Sequence, residues 1–279
     1  MCKYTRKQSV EMNNQIESDN ANYYKMFLSK VFDEIVQNYY IQIEPKMLYS
    51  SAVEGMTNSL DKYSKIWWGN ERQEQKIKGR NVEASILLDS IGLLRIKSFD
   101  PDIGSIVSCL VDSLLNQGVT KLILDLRDNF GGSIDSLIDV CNILIPEGLI
   151  FYSVDKFGKK REYYSHLHKE PFSSIFVLVN SNTMSAAEML AATVGLFNGI
   201  IIGERTFGKA VSQITRQVFG GYLQLTNKAF FLPNGYSFDG DGISPDIELS
   251  DMKLMKEPEV IEQVIEIIHG KEGDVNGND

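Results

Sequence analysis

Cysteine is nearly absent from this chain: three occur in 279 residues, Cys2, Cys109 and Cys141. An odd, widely spaced set supplies neither a disulfide framework nor a zinc knuckle. Cys109 and Cys141 each fall in apolar helical patterns, which places them in the expected core. Histidine is as scarce. His166 and His168 sit in a polar, loop-like stretch, SHLHKEP, with no carboxylate cluster beside them, which is too little for a metal site. Cationic surface is also lacking: 28 Lys and Arg stand against 37 Asp and Glu, a formal net charge of −9. No run of Lys and Arg builds the basic face that phosphate contacts need, so non-specific binding of nucleic acid is excluded. No uninterrupted apolar stretch is long enough to span a membrane. The first residues, MCKYTRKQSVEMNNQIESDNAN, carry cations with no apolar stretch behind them. They do not read as a secretory signal, so a cytoplasmic location is expected, or an exported one if an export segment is missing from this sequence.

What the chain does have is apolar content, 43 % hydrophobic residues, enough for one large domain or two small ones. Residues 1 to about 20 are polar and expected to fray. From Tyr23 the pattern turns helical, with Phe27, Val31, Ile35 and Tyr39 recurring every fourth residue. A second helix is expected from about Pro45 to Leu60. LDKYSKIWWGNER then reads as an aromatic-rich turn whose Trp67 and Trp68 pack the helical segment. Residues 71–81 are charged and linker-like.

Beyond them, apolar runs of strand length alternate with helical patterns. ASILLDS, IGLLRIKSF, KLILDL, LIFYSVD, SIFVLVN and GIIIGE read as strands. DIGSIVSCLVDSLLNQG, SIDSLIDVCNILI and SAAEMLAATVGLF read as helices, the first ending at Gly118. This alternation predicts right-handed crossovers on a largely parallel sheet. VSQITRQVF and YLQLTNKAFFL follow as shorter alternating strands, and a last helix is expected from about Pro258 to His269. The expected organisation is an N-terminal helical segment over 1–78, an α/β core over 79–251, and a C-terminal helix and tail over 252–279.

Three stretches of the core carry chemistry. DLRDNFGGS, Asp125 to Ser133, leaves a buried strand and enters a helix through two glycines. Such a turn lets successive N–H groups point at a negative oxygen, although a plain tight turn has the same sequence. In SNTMSAAEML, Ser185 lies between a strand and a helix. With Glu188 three residues on, it reads as a capping box. The same position suits a nucleophile, because the Ala186 N–H can donate to an oxyanion at the helix start. A serine hydroxyl needs a base. Lys209, in GERTFGKAVSQ, lies among small and apolar residues. Desolvation there disfavours the ammonium, and a neutral lysine can take the serine proton. Gln213, four residues on, can orient the amine. An exposed loop lysine remains the alternative.

Together these pieces resemble the C-terminal processing peptidases, also called tail-specific proteases. NSLDKYS, Asn58 to Ser64, looks like that family's helix-to-turn segment. DLRDNFGG resembles its oxyanion loop, SAAE its nucleophile motif, GERTFGKAVSQ its lysine motif and GDGISPDIEL its closing segment. The resemblance implies a crotonase/ClpP-like α/β core with a mostly parallel sheet and flanking helices, preceded by an N-terminal helical segment. It implies a serine endopeptidase with a Ser185–Lys209 dyad and Gln213 as the residue that positions the lysine. The oxyanion hole would comprise Ala186 with Gly131 or Gly132. No metal or organic cofactor is implied. Substrates would be unfolded or flexible polypeptides, cut near C-termini. Relatives commonly carry a PDZ domain between the helices and the core, where this sequence has only ERQEQKIKGRNVE, so a member without that domain is expected. Relatives also suggest a homodimer through the N-terminal helices. Two other readings stay open: an inactive peptide- or ligand-binding relative, and a crotonase-like acyl-CoA enzyme.

Overall fold

The computed structural model describes residues 6–69, 81–88, 90–218, 220–249 and 252–275, with side-chain surroundings from residue 20 to 270, Lys253 excepted. Cys2 and the linker-like segment read at 71–81, Asn81 excepted, lie outside the described residues. Two compact units are formed, one by residues 1–72 with 215–225, the other by 73–214 with 226–279.

In the first unit, helix α1 (Arg6–Asn38) begins earlier than the apolar stripe predicts. Its first residues are polar but mostly favour a helix, and polarity does not prevent one. Helix α2 (Pro45–Asn58) opens with Pro45 in its first turn, where no N–H is missed. Behind it, Asp61 accepts hydrogen bonds from the N–H groups of Tyr63 and Ser64, both at 2.8 Å, which fixes the turn. The aromatic stretch expected as a turn is instead a strand, β1 (Lys65–Trp68), paired antiparallel with residues 221–224. Aromatic residues fit the pleated surface, and Trp68 lies edge-on to Tyr49 of α2 with ring centroids 5.7 Å apart.

The second unit contains a six-stranded sheet. Strand β2 (Val82–Ile86) runs antiparallel to β3 (Ile91–Ile96), while β4 (Lys121–Asp125), β7 (Ser174–Val179), β8 (Ile200–Gly203) and β11 (Ile247–Glu248) continue in parallel. The order is β11-β8-β7-β4-β3-β2. Side-chain alternation buries both faces. On β4, Leu122 and Leu124 join one apolar cluster and Ile123 the other; on β7, Val177 and Val179 oppose Phe176 and Leu178. The first cluster includes residues of α3 (Ile103–Asn116), α4 (Ile134–Leu144) and α5 (Ala186–Leu196). The second is covered by α6 (Glu257–Val275) through Val260, Ile261, Val264 and Ile268. The parallel core is therefore as the sequence predicts.

Three details differ. KREYYS forms a strand, β6 (Lys160–Ser165), beside β5 (Gly148–Asp155); its polar alternation hid it. The final helix runs past His269. Cys109 is exposed, not core: on α3 the buried residues are Ile103, Gly104, Val107, Val111 and Leu114, and Cys109 falls on the opposite face. Cys141 is buried, and burial pushes its thiol pKa up.

Candidate active site

Strands β4, β7 and β8 are neighbours, all parallel, so their carboxyl ends share one sheet edge. Ligands bind at that edge in open α/β sheets. The segments leaving these strands carry all the residues singled out above except Gln213: residues 128–133 after β4, 180–188 after β7 and 204–210 after β8.

The first segment is fixed from below and from the side. Asp125 is fully buried, and Arg127 donates to its two carboxylate oxygens from Nε and Nη2 at 2.9 and 2.7 Å. Burial opposes the guanidinium charge of Arg127. The hydrogen bond and charge of Asp125, with Glu257 and Asp128 farther out, outweigh that cost and raise its pKa. Asn129 is fully buried in the turn. Its Nδ2 donates to the Ile96 carbonyl and its Oδ1 accepts from the Gly131 N–H, both at 2.8 Å. Its backbone carbonyl accepts from the N–H of Met184, next to Ser185, at 2.9 Å. Asp128 accepts from Nδ2 of Asn180 and of Asn182, each at 2.9 Å. Burial works against its ionisation. The two amides and the charges of Arg95 and Arg127 prevail, and its carboxyl is held below the usual range. Asn129 and Asp128 thereby join the glycine turn to the Ser185 turn.

That approach is close. A Cβ on Gly131 would stand 2.9 Å from Ser185 Cβ and 3.0 Å from Ala186 N, and its φ is +92°. Only glycine fits there. Because the Gly131 N–H is engaged by Asn129, it is not available to a ligand. Gly132 is exposed, and among the described residues its N–H has no acceptor. Ala186 is the first residue of α5, so its N–H has no intrahelical acceptor either.

Ser185 has φ 58° and ψ −117°. An ordinary N-cap is extended, with negative φ. Ser185 and Glu188 are in capping-box arrangement, but only the glutamate arm has full hydrogen-bond geometry: the Ser185 N–H donates to Glu188 Oε2 at 2.9 Å, while the hydroxyl makes no cap bond. Helix capping therefore does not explain the backbone. A non-glycine residue in such a region costs about 1–3 kcal/mol and persists where its surroundings over-determine it. Serines at a strand-to-helix nucleophile elbow have this kind of sharp, strained turn.

Lys209 is half-buried in the segment after β8. Its N–H donates to Glu188 Oε2 at 2.8 Å, the same oxygen that accepts from Ser185. On either side, Phe207 N–H donates to the Thr183 carbonyl at 3.1 Å and Ala210 N–H to Asp239 Oδ1 at 3.0 Å. Gly208, at φ +87°, packs directly against Gly240–Gly242 of the GDGISPDIEL stretch. Gln213 lies on β9 (Val211–Val218), and its amide donates to Thr226 Oγ1 of β10 (Gly221–Phe231) at 3.3 Å. Sequence reasoning missed Asn129, Thr206 and Asp239. Their bonds reach across the chain, from 129 to 96 and from 210 to 239, so no local spacing announces them. Among the described residues no group of His, Cys, Asp and Glu could hold a metal ion.

Residues 90–249 match the family model described as Peptidase family S41. A curated relative from Staphylococcus aureus strain N315, named "Probable CtpA-like serine protease", is 29 % identical over 195 residues, covering 66 % of this chain and 39 % of that protein. A protein of the same name from Staphylococcus epidermidis is 27 % identical over 194 residues, covering 66 % and 40 %. The chain thus spans about two fifths of the length of these curated relatives. Among solved structures, the photosystem II D1 C-terminal processing protease matches with a TM-score of 0.59 at 27 % identity, over 66 % of this chain and 52 % of that one. A lipoprotein from Streptococcus agalactiae gives the same TM-score, 0.59, at 23 % identity, over 80 % of this chain and 90 % of that one, a likeness of fold alone. The mixed α/β core is the crotonase/ClpP-like one expected from the sequence. The Peptidase family S41 match takes in more than half of the sequence, and the chain belongs to that family.

Proposed function

We propose that this chain is a serine endopeptidase in which Ser185 is the nucleophile and Lys209 the general base. The observation that carries the reading is the backbone of Ser185, strained at a strand-to-helix turn with a glycine turn pressed against its Cβ. Ser185 Oγ attacks a peptide carbonyl and its proton passes to the Lys209 amine. The carbonyl oxygen becomes an oxyanion, which accepts from the N–H groups of Ala186 and Gly132. Each such donor lowers the barrier by about 3 kcal/mol. Gly131 serves as the spacer that lets the two turns meet. The ammonium returns its proton to the leaving amine, and water then hydrolyses the acyl-enzyme with Lys209 again as base. Gln213 orients the lysine. No cofactor takes part in these steps.

Substrates are unfolded or flexible polypeptides, cut near their C-termini, as the name of the D1 processing protease suggests for that relative. A second copy of this chain covers the apolar stripe of α1, where Tyr23, Phe27 and Tyr39 are exposed.

The test is mass spectrometry of a peptide library incubated with wild type and with Ser185→Ala. New termini made by wild type alone support the reading. Equal cleavage by Ser185→Ala sinks the peptidase mechanism, and survival of a thioester activity in that variant would point to acyl-CoA chemistry. The pH–rate profile should fall on the acid side, because a protonated amine takes no proton. In Lys209→Ala that limb should vanish with most of the activity.

A further inference from the structure

Glu188 is fully buried, one helical turn into α5, and its carboxylate is surrounded by donors. Oε2 accepts from the N–H of Ser185 at 2.9 Å and from the N–H of Lys209 at 2.8 Å. Oε1 accepts from the N–H of Gly208 at 2.7 Å and from the hydroxyl of Thr206 at 2.5 Å. The Thr206 hydroxyl in turn accepts from the Ile243 N–H at 2.7 Å. A capping-box glutamate needs only the first of these bonds. The other three come from the segment after β8, about twenty residues downstream, so helix capping does not account for them.

The four bonds split the carboxylate between the two halves of the candidate site. One oxygen holds the backbone of the nucleophile turn and of the lysine together. The other holds the two residues that lead into the lysine. No second group among those bonds could replace it, because each partner is a donor and only an acceptor can gather them. Shifting this oxygen shifts Lys209 against Ser185 directly, through one hydrogen bond on each side.

We propose that Glu188 is a positioning residue that sets the Lys209 amine against the Ser185 hydroxyl. The proposal rests on the functional reading above and names the group that holds its two partners in register. Glu188→Gln keeps the shape and turns one acceptor oxygen into a donor. The new NH₂ must face either Ser185 and Lys209 or Gly208 and Thr206, and in both orientations N–H groups oppose N–H groups. The lysine segment moves to relieve this. Misplacement of a reacting group by about 1 Å costs about a hundredfold.

The experiment measures hydrolysis of a fluorescent unfolded polypeptide by wild type and Glu188→Gln, with active sites counted by fluorophosphonate labelling. The expected result is a kcat per labelled site lower by about a hundredfold, KM nearly unchanged, and a displaced acid limb of the pH profile. A merely structural role lowers the melting temperature and the number of sites, but leaves kcat per site and the pH profile as in wild type; that result overturns the proposal. If Glu188→Gln does not fold, Thr206→Val removes one arm alone, and Thr206→Ser restores the hydroxyl. Displacement of the profile in Thr206→Val and its return in Thr206→Ser support the clamp, and an unmoved profile in both overturns it. Should wild type neither cleave nor label at Ser185, the functional reading fails on its own. The clamp is then judged by acetic anhydride modification of Lys209 across pH, read by mass spectrometry. A Lys209 profile shared by wild type and Glu188→Gln overturns it, and a shifted one sustains it.

Discussion

Helices α5 and α1 are built on opposite plans. In α5 every residue from Ala186 to Val194 is buried, including Glu188 and Thr193. Its sequence, AAEMLAATVGL, has no polar face to turn outward. In α1 the described side chains are mostly exposed, with Tyr23 at 62 % and Phe27 at 58 %. Its apolar residues run in two adjacent rows at four-residue spacing, Tyr23, Phe27, Val31 and Ile35 in one and Tyr24, Leu28, Phe32 and Val36 in the other, a ridge of which most side chains are exposed. A helix apolar on all sides is determined by its own chain, since only a core can accept it. A ridge left exposed is an incomplete statement, and such patches mark contact surfaces. The candidate chemistry sits at the start of the helix that the fold over-determines. There the surroundings can sustain a strained serine: bonds to a charged acceptor contribute about 1.5–3 kcal/mol each, against about 1–3 kcal/mol of strain.

The sharpest way to break the over-determined end is Gly131→Ala. The new methyl would meet Met184 O and Ser185 Cβ, each at 2.9 Å, in a backbone conformation that alanine disfavours. Neither contact is with the far end of a flexible side chain, so the two turns must part. The expected loss is about 2 kcal/mol or more of stability, with kcat down by about a hundredfold as the oxyanion donors separate from Ser185. Thermal unfolding and turnover of an unfolded substrate measure both. Wild-type values for each would mean that the close approach is not needed.

A smaller effect, opposite in sign for stability, is expected at Ser185 itself. Glycine tolerates φ 58° and ψ −117° far better than alanine does. Ser185→Gly should therefore be more stable than Ser185→Ala by about 1 kcal/mol, after the entropic cost of a more flexible unfolded chain. Both variants should be inactive. Equal melting temperatures would show that the turn stores no strain, and would remove the main argument for a nucleophile over a cap.

The α/β core was legible because it is written in local patterns. KLILDL and SIFVLVN are short runs buried on both faces, and their alternation assigns each residue to one of two apolar clusters. Ser185, Lys209 and the glycine pair could be located because each lies where an apolar strand run ends. What joins them was not legible. The clamp from Glu188 to Thr206, Gly208 and Lys209 spans about twenty residues, and the bond from Asn129 to Ile96 spans 33. Glu188 itself was visible only as a capping-box partner, which is one of its four bonds. Which of the two glycine N–H groups is taken up within the turn was likewise closed to sequence: the Asn129 side chain takes that of Gly131. Strand β1 was missed for a different reason: its partner, residues 221–224, lies far along the chain, and without it KIWW reads as a turn.

The smallest expected effect on the core comes from completing or spoiling the ridge of α1. Phe27 and Val31 stand on it one turn apart, at 58 % and 37 % exposure. Replacing both by glutamate puts two like charges at the centre of one row. Substitution at an exposed site has little effect on a core formed elsewhere, so thermal unfolding of the α/β core should stay within about 0.5 kcal/mol of wild type. If a second copy covers the ridge, the same change buries two unpaired charges in the interface, and association is lost. Sedimentation should then give a dimer for wild type and a monomer for the double variant at equal concentration. A wild type that sediments as a monomer, or a variant of unchanged mass, removes the second copy as the ridge's partner. A core destabilised by several kcal/mol would show instead that the ridge packs within its own chain, and the contrast between the two helices would fall with it.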